Sequence, residues 1–149
     1  MPYFNPAESA FSLPLSCDAI LKRVSKTREW NTPRNSSLLS VGLDYLTLGR
    51  AALYKAILEK KSVAHCEPLL ERAVDQLLRA ARQDEFPKAL LTRAWMRRLS
   101  NGDAADDLNN AFQIAERGSM CLHIIDIHLY RARLFFDARS YPWKFPELI

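Results

Sequence analysis

Glycine is scarce in this chain, with four residues in 149. That is too few for the many tight turns of an all-β fold or for a phosphate-cradling loop. No Gly-x-x-x-x-Gly-Lys-Ser/Thr run occurs. Cysteine is scarce too. Cys17, Cys66 and Cys121 are odd in number and far apart, which excludes a disulfide framework and fits a reducing cytosol, so the expected location is cytoplasmic. No apolar run reaches the roughly 18 residues of a membrane span. The opening Met-Pro-Tyr-Phe-Asn-Pro lacks the basic stretch and apolar run of a secretory signal, so none is expected. Charge of one sign is also modest. The chain carries 21 basic and 17 acidic residues, a net +4, and Arg72 and Arg79 sit beside Glu71 and Asp75. A mixed, solvated surface follows, and nucleic acid is the weaker choice of partner.

What is present is helical in character. Apolar residues make up 48% and charged residues 26%, as in one globular domain with a core of its own. Three parts are expected: an irregular arm over 1–15 holding Pro2, Pro6 and Pro14, a helical body over 16–138, and a Pro/aromatic tail over 139–149. In the body, Ser16 or Asp18 caps a helix to about Trp30, and Pro33 and Asn35 break the chain. A helix from Ser36 to Glu59 carries two apolar stripes and so packs on two sides. The next, Glu67 to Arg82, turns Leu69, Leu70, Ala73, Leu77, Leu78 and Ala81 inward. Asp84 caps a helix to Leu99, and Asp103 caps another to Glu116. Gly118 then serves as the left-handed stop before a last helix, Met120 to Asp137. The expected fold class is all-α, about six helices on short loops, which pair antiparallel and layer as a stack.

A small–large–small spacing recurs. Ala73, Leu77 and Ala80 have the form Ala-x-x-x-large-x-x-Ala, and Ala104, Leu108 and Ala111 repeat it. Small residues let helices approach closely, and the large one fills the gap. These residues resemble the second helix of a tetratricopeptide repeat. Tyr45, Leu48-Gly49 and Ala52 stand where that family's first helix has Trp, Leu-Gly and Tyr, and Leu90 and Ala94 stand at the Trp and Gly places of the next pair. The stretches LDYLTLGRAALY (Leu43–Tyr54), FQIAERGSMCLH and YPWKFP are similar to the C-terminal repeats of bacterial signalling ATPases of the STAND type, here without an ATPase part. The resemblance implies a short right-handed solenoid of tetratricopeptide type. It also implies a concave groove lined by the first helices, placing Arg50, Tyr54, Trp95 and Arg98 on that groove.

Candidate chemistry is thin. On a helix, Cys121, His123 and His128 point in different directions, so no metal site is expected. Asp106-Asp107 falls in a first helical turn, where acidic groups suit the dipole. No nucleophile elbow exists, and neither catalysis nor a cofactor is expected. Arg93, Trp95, Arg97 and Arg98 are either interface anchors or a core tryptophan with solvated arginines beside it. The expected function is a scaffold that binds a protein or peptide. The alternatives are a nucleic-acid accessory protein using its arginines, or a fragment of a larger repeat protein with no role of its own. The last helix carries Ile124, Ile125, Leu129, Leu134, Phe135 and Phe136 with no partner helix after it. Either the tail (Tyr141, Trp143, Phe145, Leu148, Ile149) folds back over it or two chains pair through it as a homodimer.

Overall fold

The computed structural model describes residues 6–30, 37–137 and 141–143, with side chains from residue 12 onward. Among these residues the chain forms six α-helices and no strand: α1 (Pro6–Trp30), α2 (Leu38–Leu58), α3 (Glu67–Arg79), α4 (Phe86–Leu99), α5 (Ala105–Arg117) and α6 (Cys121–Leu134), with a short 3-10 turn, Ala64–Cys66, leading into α3. The expected breakers Pro33 and Asn35, the arm residues 1–5 and the tail residues Phe145, Leu148 and Ile149 lie outside the described residues.

The arm expected over 1–15 is helical from Pro6 on, and Pro14 lies inside α1. Ser16 and Asp18 are therefore interior residues. The Ser16 hydroxyl donates to the Ser12 carbonyl one turn back, and Asp18 pairs with Lys55 of α2. A proline removes one backbone bond without forbidding the rest of a helix, so reading Pro14 as a boundary placed the start too late. At α2, Ser37 is the cap, accepting from the Ser40 N–H at 3.1 Å. Asp84 caps nothing; its carboxylate holds Arg82 through two bonds of 3.0 and 2.8 Å. That bond is the main cause of its low pKa, about 2. Asp103 accepts from Ala105 N–H at the start of α5.

Contacts run in opposite senses between α1 and α2, between α2 and α3, and between α5 and α6. Tyr45 of α2 meets Arg28 of α1 while Lys55 meets Asp18. A Cβ added at Gly42 would meet Leu77 of α3, and one added at Gly49 would meet Leu70. Phe112 of α5 faces His128 of α6, and Asn109 faces Arg131. The helices α2, α4 and α6 also touch one another in order. One continuous core results, from Tyr45 and Leu53 of α2 through Leu70 and Leu77, Leu90 and Met96, Leu108 and Ala111, to Ile127 of α6.

The small residues chosen from the sequence sit inside this core. Ala73, Leu77, Ala94, Ala104, Leu108 and Ala111 are all buried, and Gly49 is buried against Leu70. Ala80 is only half-buried, because α3 ends at Arg79 and Ala80 caps it. Leu78 and Ala81 are exposed rather than inward, since α3 stops before Ala81 and Leu78 falls on its outer face. Gly118 is not the left-handed residue. Its φ is −86°, and the turn is made by Ser119 at φ 52°.

Candidate functional site

The side chains singled out for a groove come from α2 and α4. Arg50 and Tyr54 are one turn apart on α2 and so share a face. Trp95 lies in the last half of α4, a helix opened by Pro87 in its first turn. The Tyr54 and Trp95 rings are 5.5 Å apart between centroids, inclined at 51°. Tyr130 of α6 meets the other side of Trp95 edge-on at 6.3 Å. Three aromatic rings, one from each of α2, α4 and α6, thus make a continuous row. Tyr54 is open to solvent, and Trp95 and Tyr130 are half-buried. Sequence reasoning missed Tyr130, though a signal existed: Trp95 in Phe86–Leu99 and Tyr130 in Cys121–Leu134 hold the same place in two helices of 14 residues.

Arg50 and Arg98 are engaged within the fold. The Arg50 Nε donates to Thr92 Oγ1 at 3.0 Å and its NH2 to the Lys88 carbonyl at 3.3 Å, which fastens α2 to α4. No carboxylate meets Arg50 among the described residues. Arg98 donates to the Leu134 carbonyl at 2.7 Å and to Asp137, and lies over Phe135. It satisfies the carbonyl end of α6 rather than joining the aromatic row. Burial, and then the neighbouring Tyr54, push the Tyr130 hydroxyl above its ordinary pKa, while Arg50 works the other way.

Arg93 and Arg97, read as interface anchors or solvated flank, are neither. Arg93 grips Asp107 with two bonds of 3.0 and 2.6 Å and reaches Glu71 at 2.7 Å. Arg97 bridges the same two carboxylates at 3.2 and 2.9 Å. Asp107 is 1% exposed. Reading it as a dipole residue was correct about its turn but missed that it is the buried hub joining α3, α4 and α5. Burial works against the Arg93 charge, and the carboxylates of Asp107 and Glu71 more than offset it, so its pKa is raised.

The start of the tail folds back on α5 and α6. Trp143 donates its Nε1 proton to Asn109 at 2.6 Å and packs edge-on against Phe135 at 4.9 Å. Arg131 is held between Phe112 and Trp143, 4.6 and 4.7 Å from their ring centres. It is buried, its Nε lacks a hydrogen-bond partner among the described residues, and burial lowers its pKa. This seat leaves Leu122, Ile125 and Leu129 of α6 uncovered by the described tail residues.

His123 reaches the Asp84 carbonyl at 2.8 Å, His128 lies against Phe112, and Cys121 is exposed beside Ser119. Among the described residues no three His, Cys, Asp or Glu side chains converge as metal ligands. The Cys66 thiol is pushed up to about 11 by burial, which keeps it protonated and a poor nucleophile near neutral pH. No helix among the described residues is long and apolar enough to cross a membrane.

No family model, curated protein or solved structure matches the chain.

Proposed function

We propose that the chain is a short right-handed solenoid of tetratricopeptide type, working as a protein-interaction module. Its binding face is the side built from α2, α4 and α6, where it holds a peptide or protein segment. The observation that carries the reading is the row Tyr54–Trp95–Tyr130, partly open to solvent and supplied by three neighbouring helices. Large aromatic rings that keep a polar handle are favoured anchors at protein interfaces. Arg50 stands beside the row with no carboxylate to neutralise it among the described residues. It therefore supplies a cation for an acidic or carbonyl-rich stretch. Opposite contact senses between α1 and α2, α2 and α3, and α5 and α6, with α2, α4 and α6 side by side, are what a stack of helix pairs requires.

The nucleic-acid reading loses support on the same grounds. Arg93 and Arg97 are consumed by Glu71 and Asp107, and Arg98 by α6, so the cluster cannot track a phosphate backbone. The free thiols, with Cys121 exposed, favour a reducing compartment such as the cytoplasm. The resemblance to STAND-type repeats favours a bacterial signalling setting.

A photo-crosslinking residue at Tyr54, compared with one at the exposed Gln113 on α5, tests the face in source cells. Discrete adducts from position 54, lost when Trp95→Ala is added, are expected. Equal adducts from both positions, or adducts indifferent to Trp95, defeat the reading.

A further inference from the structure

The uncovered face of α6 is a different side of the helix from Tyr130, and its pattern specifies an occupant. It is bordered by Asp126 and Arg133, whose charges also reach that ring's hydroxyl. Leu122, Ile125, Leu129 and Ala132 recur at three- and four-residue steps along one side of the helix, and Phe136 follows just past its end. The large side chains are 79, 62, 42 and 90% exposed for Leu122, Ile125, Leu129 and Phe136. Together they leave roughly 500 Å² of apolar surface open, near the upper end of what a monomer shows to water. Two such faces with their rims reach the roughly 1,200–2,000 Å² of a stable interface.

Charge at the rim selects the partner. Asp126 and Arg133 are seven residues apart, so both flank the stripe on the same side. Neither has an ion-pair partner among the described residues. Because one is negative and the other positive, the flank is its own complement when reversed. A second α6 laid antiparallel, its two-fold axis crossing between Leu129 and Ala132, sets Asp126 of each copy against Arg133 of the other. A parallel pairing carries the charged flank of each copy to opposite sides of the seam, so these two charge pairs form only in the antiparallel arrangement. We infer that this face is an isologous dimer interface, with a second copy of this chain as the occupant. This goes beyond the peptide-binding reading and does not depend on it.

Sedimentation equilibrium of the full chain at low and moderate salt tests the inference, with circular dichroism to verify that each variant keeps its helices. The expected result is a reversible dimer that Leu129→Glu dissociates. Asp126→Arg alone or Arg133→Asp alone is expected to weaken association about tenfold, because two attractive pairs become two repulsive ones. The double variant D126R/R133D restores the pairs in reversed polarity and is expected to recover the wild-type dissociation constant. A wild-type monomer at 100-fold above micromolar concentration overturns the inference, whether residues 144–149 or nothing shields the stripe. A dimer that ignores the single charge reversals, or that the double reversal fails to rescue, overturns it equally.

Discussion

At Gly49, an added Cβ would run into Leu70 Cδ2 and stand 2.9 Å from its Cγ, and Leu70 is wholly buried. Alanine would gain about 1 kcal/mol in helix propensity. Overpacking of roughly 1–3 kcal/mol outweighs that gain. Gly49→Ala is therefore expected to lower stability by up to about 2 kcal/mol in urea titration, and Gly49→Val by more. A neutral or stabilising result would mean that α2 and α3 are not this close. Cys66 gives a second test at the same scale. Its unfolded thiol titrates near 9 and its folded thiol near 11, so between those values the folded chain keeps a proton that the unfolded chain has lost. Stability from this group is intact below pH 9 and drains as pH climbs, by about 2 kcal/mol once pH 11 is reached. The wild type should lose that much relative to Cys66→Ala when unfolding is followed from pH 8 to pH 11. Thiol reagents should modify exposed Cys121 at once and buried Cys17 and Cys66 only on opening.

Between elements, the same device closes four helices in turn. Lys60, Ala81, Asn101 and Ser119 each stand two residues past the end of α2, α3, α4 and α5, with φ between 52° and 57°. After three of them the next N–H returns five residues, Lys61 to Ala56, Gly102 to Arg97 and Met120 to Ala115. This is the Schellman arrangement, and only the left-handed turn permits it. Three of the four side chains lack even the tolerance of asparagine for that conformation. Ala81→Gly, which removes a Cβ from a strained position on the surface, is expected to raise stability by about 0.5–1 kcal/mol. The Asp107 hub operates at this scale as well, since it joins three helices through two arginines. Asp107→Asn leaves Arg93, 13% exposed at its side chain, facing a neutral amide. A loss of about 2–4 kcal/mol is expected. A smaller loss from Asp107→Asn than from Gln113→Ala on the open face would refute the hub.

Across the molecule, burial is concentrated in the middle. Cys17 is the buried residue among the described side chains of α1, and Ile127 and Arg131 are those of α6, whereas α2 to α5 and the links between them supply the rest of the core. A layered chain whose elements lean on neighbours opens from its ends. Amide exchange should therefore show α1 and α6 opening at lower free energy than α3 and α4, and dimerisation through α6 should raise protection at the α6 end alone. Uniform protection over all six helices would contradict both statements. Trp143→Ala should lower α6 protection further, because it unroofs the buried Arg131.

Helix existence was legible along the body because it rests on neighbours three and four residues apart. Leu39, Leu43, Leu46 and Leu53, or Ala73 and Leu77, announce their shared face before any fold is known. The inward placement of Ala73, Ala104 and Ala111 followed from the same spacing, whereas that of Ala81 did not survive the end of α3 at Arg79. Other features needed the assembled molecule. The start of α1 was misplaced because a proline was read as a stop, and the left-handed turn was assigned to Gly118 because glycine suits it best in isolation. Ser119, two residues past the end of α5, takes it instead, and the Met120 N–H then returns to Ala115. Sequence could not distinguish Asp107, a hub, from Asp106, a surface residue, since both sit in one acidic turn. Equivalent places in their helices hinted at Tyr130 beside Trp95, but nothing local turned Arg98 away toward α6. Periodicity is a property of the local chain, so the sequence alone determined the helices and their apolar faces. Which charge is buried, which ring meets which, and which apolar face stays open depend on residues far apart in the chain, and the tertiary structure alone brings those together.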